Sequence, residues 1–202
     1  MIEVIFDLET KKFFDDVGER NPSILGVSIV SVYRRELGED LTEKSGEMAS
    51  FFEEQFEKMW PWFEQAERIV GFNSIGFDVP ALTPYYKGNF GKLPHFDILA
   101  RIREVLGHRL SLDAIAKVTL GKTKIGSGAD AVKYWAAGDK ESLEKLRQYC
   151  EMDVAVTRDV YDHGLRHKLL KFKDRWNELR EVVVDFSHPK IEKKAEEQLG
   201  LF

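Results

Sequence analysis

The N-terminal segment IEVIFDLET constrains the fold most, because it combines a strand pattern with two acidic residues. Ile2, Val4 and Phe6 alternate with the side chains between them, as expected of a β-strand. Asp7 and Glu9 are two positions apart and therefore lie on one face of that strand. Carboxylate oxygens suit hard divalent cations, so this pair can hold one ion. The alternative is an ordinary strand end that meets a polar loop, because the triplet Asp-x-Glu is common.

A long helix is predicted over residues 140–163, where apolar residues recur at near-helical spacing and neither Gly nor Pro occurs. Tyr149 and Asp153 are four positions apart, so they lie one turn apart on the same face. A phenol beside a metal-binding carboxylate can position an attacking water or help to deprotonate it. An amphipathic helix with an exposed tyrosine and aspartate is the alternative.

The segment VGFNSIGFDVPAL carries a further acidic candidate, Asp78. A strand is predicted over 68–72, followed by a loop that opens with Asn73. Pro80 suits the first turn of the next helix, which puts Asp78 at or near the N-cap. Asp78 therefore caps a helix, or serves a metal site, or does both if its second oxygen faces a metal or a metal-bound water.

The rest of the chain predicts an α/β order, with strands first and mostly helices later. A length of 202 residues with 43% hydrophobic composition is enough for one domain with a sizeable core. We predict strands at 24–33, 95–98 and 181–186, a polar stretch with a short strand at 34–46, and helices at 48–67, 98–106, 112–120, 129–137 and 165–180.

Composition narrows the class of protein. The net charge of −5 disfavours long-range attraction to nucleic acid, but the four motif carboxylates supply four of those charges and bound metal would offset them. The single cysteine, Cys150, forbids an internal disulfide and suits the cytoplasm. We expect no signal peptide and no membrane segment, because no apolar run is long enough. The histidines show no metal-ligand spacing.

Taken in order, the three motifs resemble those of the DEDD superfamily of 3′→5′ exonucleases. The tyrosine four positions before the last aspartate is that of the tyrosine subclass, and position 148 is Gln where the histidine subclass has His. The middle motif most resembles the proofreading exonuclease domain of family B DNA polymerases and related stand-alone prokaryotic proteins. The resemblance covers about residues 1–164 and rests on Asp7-x-Glu9, Asn73-x-x-x-Phe77-Asp78 and Tyr149-x-x-x-Asp153.

This resemblance implies an α/β fold, a ribonuclease-H-like mixed sheet flanked by helices. It implies a single exonuclease domain, 1–202, with a motif-bearing core of about 1–164 and a C-terminal helix, strand and tail at 165–202. It also implies hydrolysis of single-stranded DNA or RNA from the 3′ end with two Mg²⁺ or Mn²⁺ ions, and DNA is favoured.

The resemblance also implies a role for each motif residue in two-metal hydrolysis. Asp7 bridges the two ions. Glu9 and Asp153 complete the ion that activates water, and Asp78 orders the second ion, directly or through water. Tyr149 positions the nucleophile.

Four residues are candidates for binding the substrate strand. Asn73 holds the strand or braces the Asp78 loop. Phe77 stacks on a terminal base, or is simply buried under the following helix. Lys122 and Lys124 lie in a glycine-rich basic stretch, 117–128, that suits a phosphate but is equally a solvated charged surface.

Two other function classes stay open at the level of sequence. One is a non-catalytic nucleic-acid-binding module; the other is an accessory subunit of a repair or replication complex, with a helicase or polymerase as partner. The tail at 190–202 is a docking segment or a frayed terminus. The basic segment 165–180 carries six Lys or Arg residues and is a solvated surface or a further contact with nucleic acid.

Overall fold

The computed structural model describes residues 1–122 and 128–188, and its centre is a five-stranded mixed sheet. The strand order is β3-β2-β1-β4-β5, in which β1, β2 and β3 are antiparallel while β4 and β5 run parallel to β1. The strands are β1 (Ile2–Thr10), β2 (Val27–Leu37), β3 (Glu43–Phe52), β4 (Arg68–Gly71) and β5 (His95–Asp97).

Helices cover this sheet, so the predicted mixed sheet flanked by helices is confirmed. Within residues 1–122 and 128–188, no helix is long and apolar enough to cross a bilayer. The helices are α1 (Phe14–Val17), α2 (Phe56–Glu64), α3 (Asp78–Leu82), α4 (Ile98–Leu106), α5 (Leu112–Leu120), α6 (Gly128–Ala137) and α7 (Lys140–His167).

The central strand β1 is apolar on both faces because both faces are covered. On one face Ile5 packs in a core with residues of α4, α5 and α7. On the other face Phe6 contacts Phe63 of α2 and Phe90, with ring centroids 5.1 and 6.2 Å apart. Burial on both faces fixes the register of β1, and with it the direction of the acidic residues at its carboxyl end.

Helix α7 is the longest helix and lies against β1 and β2. It begins after Asp139, whose carboxylate accepts hydrogen bonds from the Glu141 and Ser142 N–H groups. The Cys150 thiol donates to the backbone carbonyl of Asp7 at 3.4 Å. This contact places the middle of α7 beside the carboxyl half of β1.

The helix predicted over 48–67 was wrong at its start. Strand β3 continues to Phe52, and α2 begins only at Phe56. Phe51 lies opposite Val30 and Phe52 opposite Ile29 on β2, so strand pairing overrides the helical spacing of the aromatic residues.

The helix predicted over 165–180 was also wrong. Helix α7 ends at His167, where Lys168 adopts a left-handed conformation with φ of 57°. A hairpin follows, made of β6 (Leu169–Lys173) and β7 (Leu179–Val183). It forms because Leu170, Phe172 and Val182 alternate along the strands and bury one face in the core.

Candidate active site

The candidate site is a cleft of about 400 Å³ at the point where β1 and β4 separate. The two strands pair only over Glu3–Ile5 and Arg68–Val70. Beyond that pairing, the loop after β4 and the start of α3 close one side of the cleft, and α6 and α7 close the other. The motif residues that line it are Asp7, Glu9, Asn73, Phe77, Asp78, Tyr149 and Asp153.

Three carboxylates converge in this cleft. One oxygen each from Asp7, Glu9 and Asp153 lies within 4.8 Å of the other two. Glu9 and Asp153 are 9% and 3% exposed, so these acids are largely withdrawn from water. Mg²⁺ binds oxygen at about 2.0–2.1 Å, so opposite ligands of one ion are about 4 Å apart. The all-oxygen set and its span therefore fit a divalent cation such as Mg²⁺ or Mn²⁺.

Asp78 faces the same cleft from the first turn of α3. Its side chain is 4% exposed, and a hydrogen bond from the Leu8 N–H ties it to β1. Burial raises the pKa of Asp78 to about 7, and the nearby Asp97 carboxylate adds to the rise, while hydrogen bonds from the Leu8 and Asp78 N–H groups oppose it. A cation in the cleft would favour the charged form, as expected of a metal-site carboxylate.

The N-cap position of α3 is occupied by Phe77, and Asp78 is the first residue of the helix. From the sequence, Asp78 was predicted to cap a helix, to bind metal directly or through water, or to do both. Its position in the cleft, bonded to β1, favours the second.

Tyr149 and Phe77 are the two aromatic motif residues that line the cleft. Tyr149 is 6% exposed and comes from the turn of α7 before Asp153. Phe77 is half-buried, lines the cleft and packs edge-on against Phe14 at 6.0 Å. Phe77 therefore has one side available to a ligand while the rest of the ring packs against protein.

Lys122 lies outside the lining of the cleft, and its ammonium group forms an ion pair with Asp159 on α7. Lys124 lies outside the described residues. The substrate-binding roles of both lysines stay predictions.

Asp97 lies in the strand predicted at 95–98 and was left outside the predicted site because the family motifs do not require it. It ends β5, is 3% exposed, and caps α4 by accepting hydrogen bonds from the Leu99 and Ala100 N–H groups. The same carboxylate accepts the N–H groups of Asn73 and Ile75. It therefore braces the loop that carries Asn73 and leads into Asp78, although it is not among the residues that line the cleft.

The loop that Asp97 braces also has an unusual backbone. Asn73 adopts a left-handed conformation with φ of 66°, which asparagine tolerates better than most residues. A side chain at Gly71 would come within 2.5 Å of the Ser74 Cβ, so only glycine fits there. These constraints give the loop a single well-defined path into the cleft.

Lys12 and Phe13 also line the cleft, and the motifs did not single them out. They directly follow β1, so the signal was their closeness in sequence to Asp7 and Glu9. Lys12 is exposed, and Phe13 is 41% exposed. They place a cation and an aromatic ring at the mouth of an otherwise acidic cleft.

The sequence profile of the RNase_H superfamily matches residues 4–164, a span that contains every motif residue named above. The chain belongs to the RNase_H superfamily. No curated protein sequence matches it. Membership in this superfamily confirms the ribonuclease-H-like fold predicted from the motifs.

Among solved structures, the family B DNA polymerase of the archaeon Pyrobaculum calidifontis is similar, with a TM-score of 0.55 and 19% identity over 82% of this chain and 24% of that chain. The E. coli ExoI–ssDNA complex in its zinc-bound form gives a TM-score of 0.48 and 14% identity over 83% of this chain and 41% of that chain. At these identities only the fold is shared, and the second score is too low to support an argument. The chain spans less than half of either structure.

Proposed function

We propose that this protein is a metal-dependent 3′→5′ exonuclease that hydrolyses phosphodiester bonds of single-stranded nucleic acid, with DNA favoured over RNA. The observation that carries the proposal is the convergence of Asp7, Glu9 and Asp153 in a cleft that Asp78 also lines. We further propose that residues 1–202 form one exonuclease domain.

The positions of the cleft residues suggest a role for each of them in hydrolysis. Asp7, Glu9 and Asp153 would hold divalent metal, with Asp7 bridging two ions, and Asp78 would order the second ion, directly or through water. Bound metal would supply an activated water and neutralise charge that develops on the phosphate. Tyr149, one turn from Asp153, would orient that water through its phenol. Burial of these groups strengthens each electrostatic interaction because little water screens them.

The choice of substrate rests on the cleft and on the family. Its volume of about 400 Å³ suits a terminal nucleotide rather than a duplex. Phe77 and Phe13 offer ring faces or edges to a base, and stacking tolerates any base sequence. Cleavage from the 3′ end follows from the resemblance to DEDD exonucleases. DNA is favoured because the similar polymerase is a DNA polymerase.

The competing proposal is a non-catalytic nucleic-acid-binding module. It does not explain why four carboxylates lie in one cleft. Such a cleft repels phosphate unless cations are bound, so acids without metal would weaken binding. An accessory role in a complex with a helicase or polymerase is compatible with exonuclease activity. It differs from the main proposal only in adding a protein partner.

The deciding experiment follows single-stranded DNA and RNA that are labelled at the 3′ or the 5′ end, in Mg²⁺, Mn²⁺ or EDTA. Immediate release of a 3′-terminal label as mononucleotide, with a ladder from the 5′-labelled strand, is the expected result. The matched control is Asp7→Asn purified in parallel, which excludes a contaminating nuclease. Undiminished cleavage in EDTA, or release from the 5′ end, would contradict the proposal.

A further inference from the structure

The β6–β7 hairpin ends in a turn that presents a tryptophan to solvent. Trp176 is 65% exposed. The Asp174 carboxylate organises the turn, because it accepts hydrogen bonds from the N–H groups of Trp176 and Glu178 at 2.9 and 3.0 Å. Arg180 donates to the same carboxylate at 2.8 Å. The turn is therefore held in one conformation, and the exposure of Trp176 is not the result of a loose loop.

A cation lies directly on this tryptophan. The Arg175 guanidinium is 3.9 Å from the centroid of the Trp176 ring, the closest cation–π contact among the described residues. Stacked guanidinium and indole planes are the surface on which unpaired bases stack. Arg175 also carries a positive charge that attracts a backbone phosphate.

The charge of the hairpin differs in sign from that of the chain. From Lys168 to Val183 there are five Lys or Arg residues and three acids, in a chain of net charge −5. The three acids form ion pairs within the hairpin. Asp174 and Glu178 pair with Arg180, and Glu181 pairs with Lys171. Lys173 and Arg175 take part in no ion pair of the described residues and remain available for an anion.

We propose that the hairpin tip, defined as Lys173, Arg175 and Trp176, is a second contact for single-stranded nucleic acid, outside the cleft. This inference rests on the proposed function, because it supposes that the strand whose end enters the cleft continues along the protein. Trp176 stacks on a base, and Lys173 and Arg175 bind the backbone phosphates beside it. Stacking on an aromatic ring and contacts with backbone phosphates carry no sequence information, so this contact is independent of sequence.

The contact requires a substrate that extends beyond the cleft. Lys173, Arg175 and Trp176 do not line the cleft, so a strand must continue past the nucleotide in the cleft to reach them. A stacked strand advances about 3.4 Å per nucleotide, so a 20-mer is about 68 Å long and can reach both places. A tetranucleotide bound in the cleft leaves little strand beyond it and tests the cleft alone.

The experiment compares oligothymidylates of 4 and 20 nucleotides in the full-length protein. Trp176→Ala and Arg175→Ala should each raise KM for the 20-mer about tenfold and leave its kcat unchanged. Neither should alter kcat/KM for the tetramer. Trp176→Phe should restore most of the loss, because it keeps an aromatic face. The matched control is Val105→Ala, which changes an apolar residue on α4 that is 56% exposed and should have no effect.

Fluorescence anisotropy of the labelled 20-mer in EDTA separates this inference from the proposed function, because it needs no hydrolysis. Weaker 20-mer binding by Trp176→Ala supports the hairpin contact even if no nuclease activity is found. Unchanged 20-mer binding and KM in both alanine variants overturns it, whether or not the protein is a nuclease. An effect of Trp176→Ala on oligomeric mass alone, measured by light scattering, also overturns it and assigns the tip to protein association.

Discussion

The carboxylate of Asp97 holds the backbone of Asn73, whose N–H donates to Asp97 Oδ1 at 2.8 Å. The other oxygen accepts the Ile75 N–H at 2.9 Å, so both oxygens are engaged with one loop. This loop leads directly into Asp78, and its path decides where that acid faces. A buried aspartate that does not line the cleft thus shapes the candidate site.

Replacing Asp97 should therefore damage activity as well as stability. Asp97→Ala leaves two loop N–H groups and the α4 cap without their acceptor, at a cost of roughly 2–4 kcal/mol in the free energy of unfolding. Displacement of Asn73 and Asp78 should lower kcat/KM by about 10²-fold at temperatures where the protein stays folded. Chemical denaturation and nuclease assays on the same samples measure both effects.

A matched control is Ser111→Ala, because Ser111 caps α5 through the Ala114 N–H far from the cleft. It should cost about 1 kcal/mol and leave kcat/KM unchanged. Asp97→Asn keeps an acceptor oxygen and should recover part of the activity. Equal activity losses in Asp97→Ala and Ser111→Ala would mean that Asp97 acts through general stability alone.

Asp7→Asn and Tyr149→Phe should differ sharply in their effect on catalysis. The first change removes a ligand shared by both proposed ions and should reduce hydrolysis to background. The second removes only a group that orients water, and general acid–base contributions are about 10²–10⁴-fold. Single-turnover rates on a 3′-labelled strand measure both variants, and similar, mild losses would argue against a bridging role for Asp7.

Divalent metal should stabilise the fold by relieving repulsion between Asp7, Glu9 and Asp153. At about 100 times its dissociation constant, one bound ion adds about 2.7 kcal/mol, or roughly 5–10 °C in Tm for a chain of this size. Asp7→Asn should melt higher than the wild type in EDTA and lose most of the gain with Mg²⁺. A variant that melts lower in EDTA but gains as much from Mg²⁺ would show Asp7 to be structural.

Stability in EDTA should fall between about pH 4 and pH 7 because of Asp78. Its folded-state pKa of about 7 lies above the unfolded value near 4, so the folded form binds the proton more tightly. The resulting stabilisation is fully present below about pH 4 and is lost as the pH rises through 7. Each pKa unit corresponds to about 1.4 kcal/mol, so the change is of the order of a few kcal/mol.

Urea denaturation at a series of pH values measures this loss. Asp78→Asn should show a flatter curve over the same range, and Mg²⁺ should flatten the curve of the wild type. A wild-type curve in EDTA that rises from about pH 4 to pH 7 more steeply than that of Asp78→Asn would contradict the sign.

Lys12 should contribute more to substrate binding than Lys122. Lys12 lines the cleft, whereas Lys122 is paired with Asp159, which already satisfies its charge. Lys12→Ala should weaken binding of single-stranded DNA and lower the slope of log K against log salt by about 0.7, the value for one lost phosphate contact. Lys122→Ala should change that slope less. A larger slope change in Lys122→Ala would restore the role predicted for the basic loop.

Local patterns in the sequence were enough for the parts of the site that one element carries. Two acids on alternate positions of β1 share a face, and a tyrosine and an aspartate four apart on α7 share another, whatever the rest of the chain does. The geometry of a strand and of a helix dictates these relations. The mixed sheet and the full set of site residues were predicted from the resemblance of the three ordered motifs to DEDD exonucleases.

Only the tertiary structure decided what depends on partners distant in sequence. Phe51 and Phe52 became part of a strand because β2 was available to pair with them, and the basic segment after α7 became a hairpin because its apolar residues found the core. The same holds for Asp97, which lies 24 residues from Asn73 and carries no motif. These hydrogen bonds and buried contacts join segments that are distant in sequence. A local sequence pattern therefore could not predict the hydrogen bonds between Asp97 and the Asn73 loop or the exposed position of Trp176.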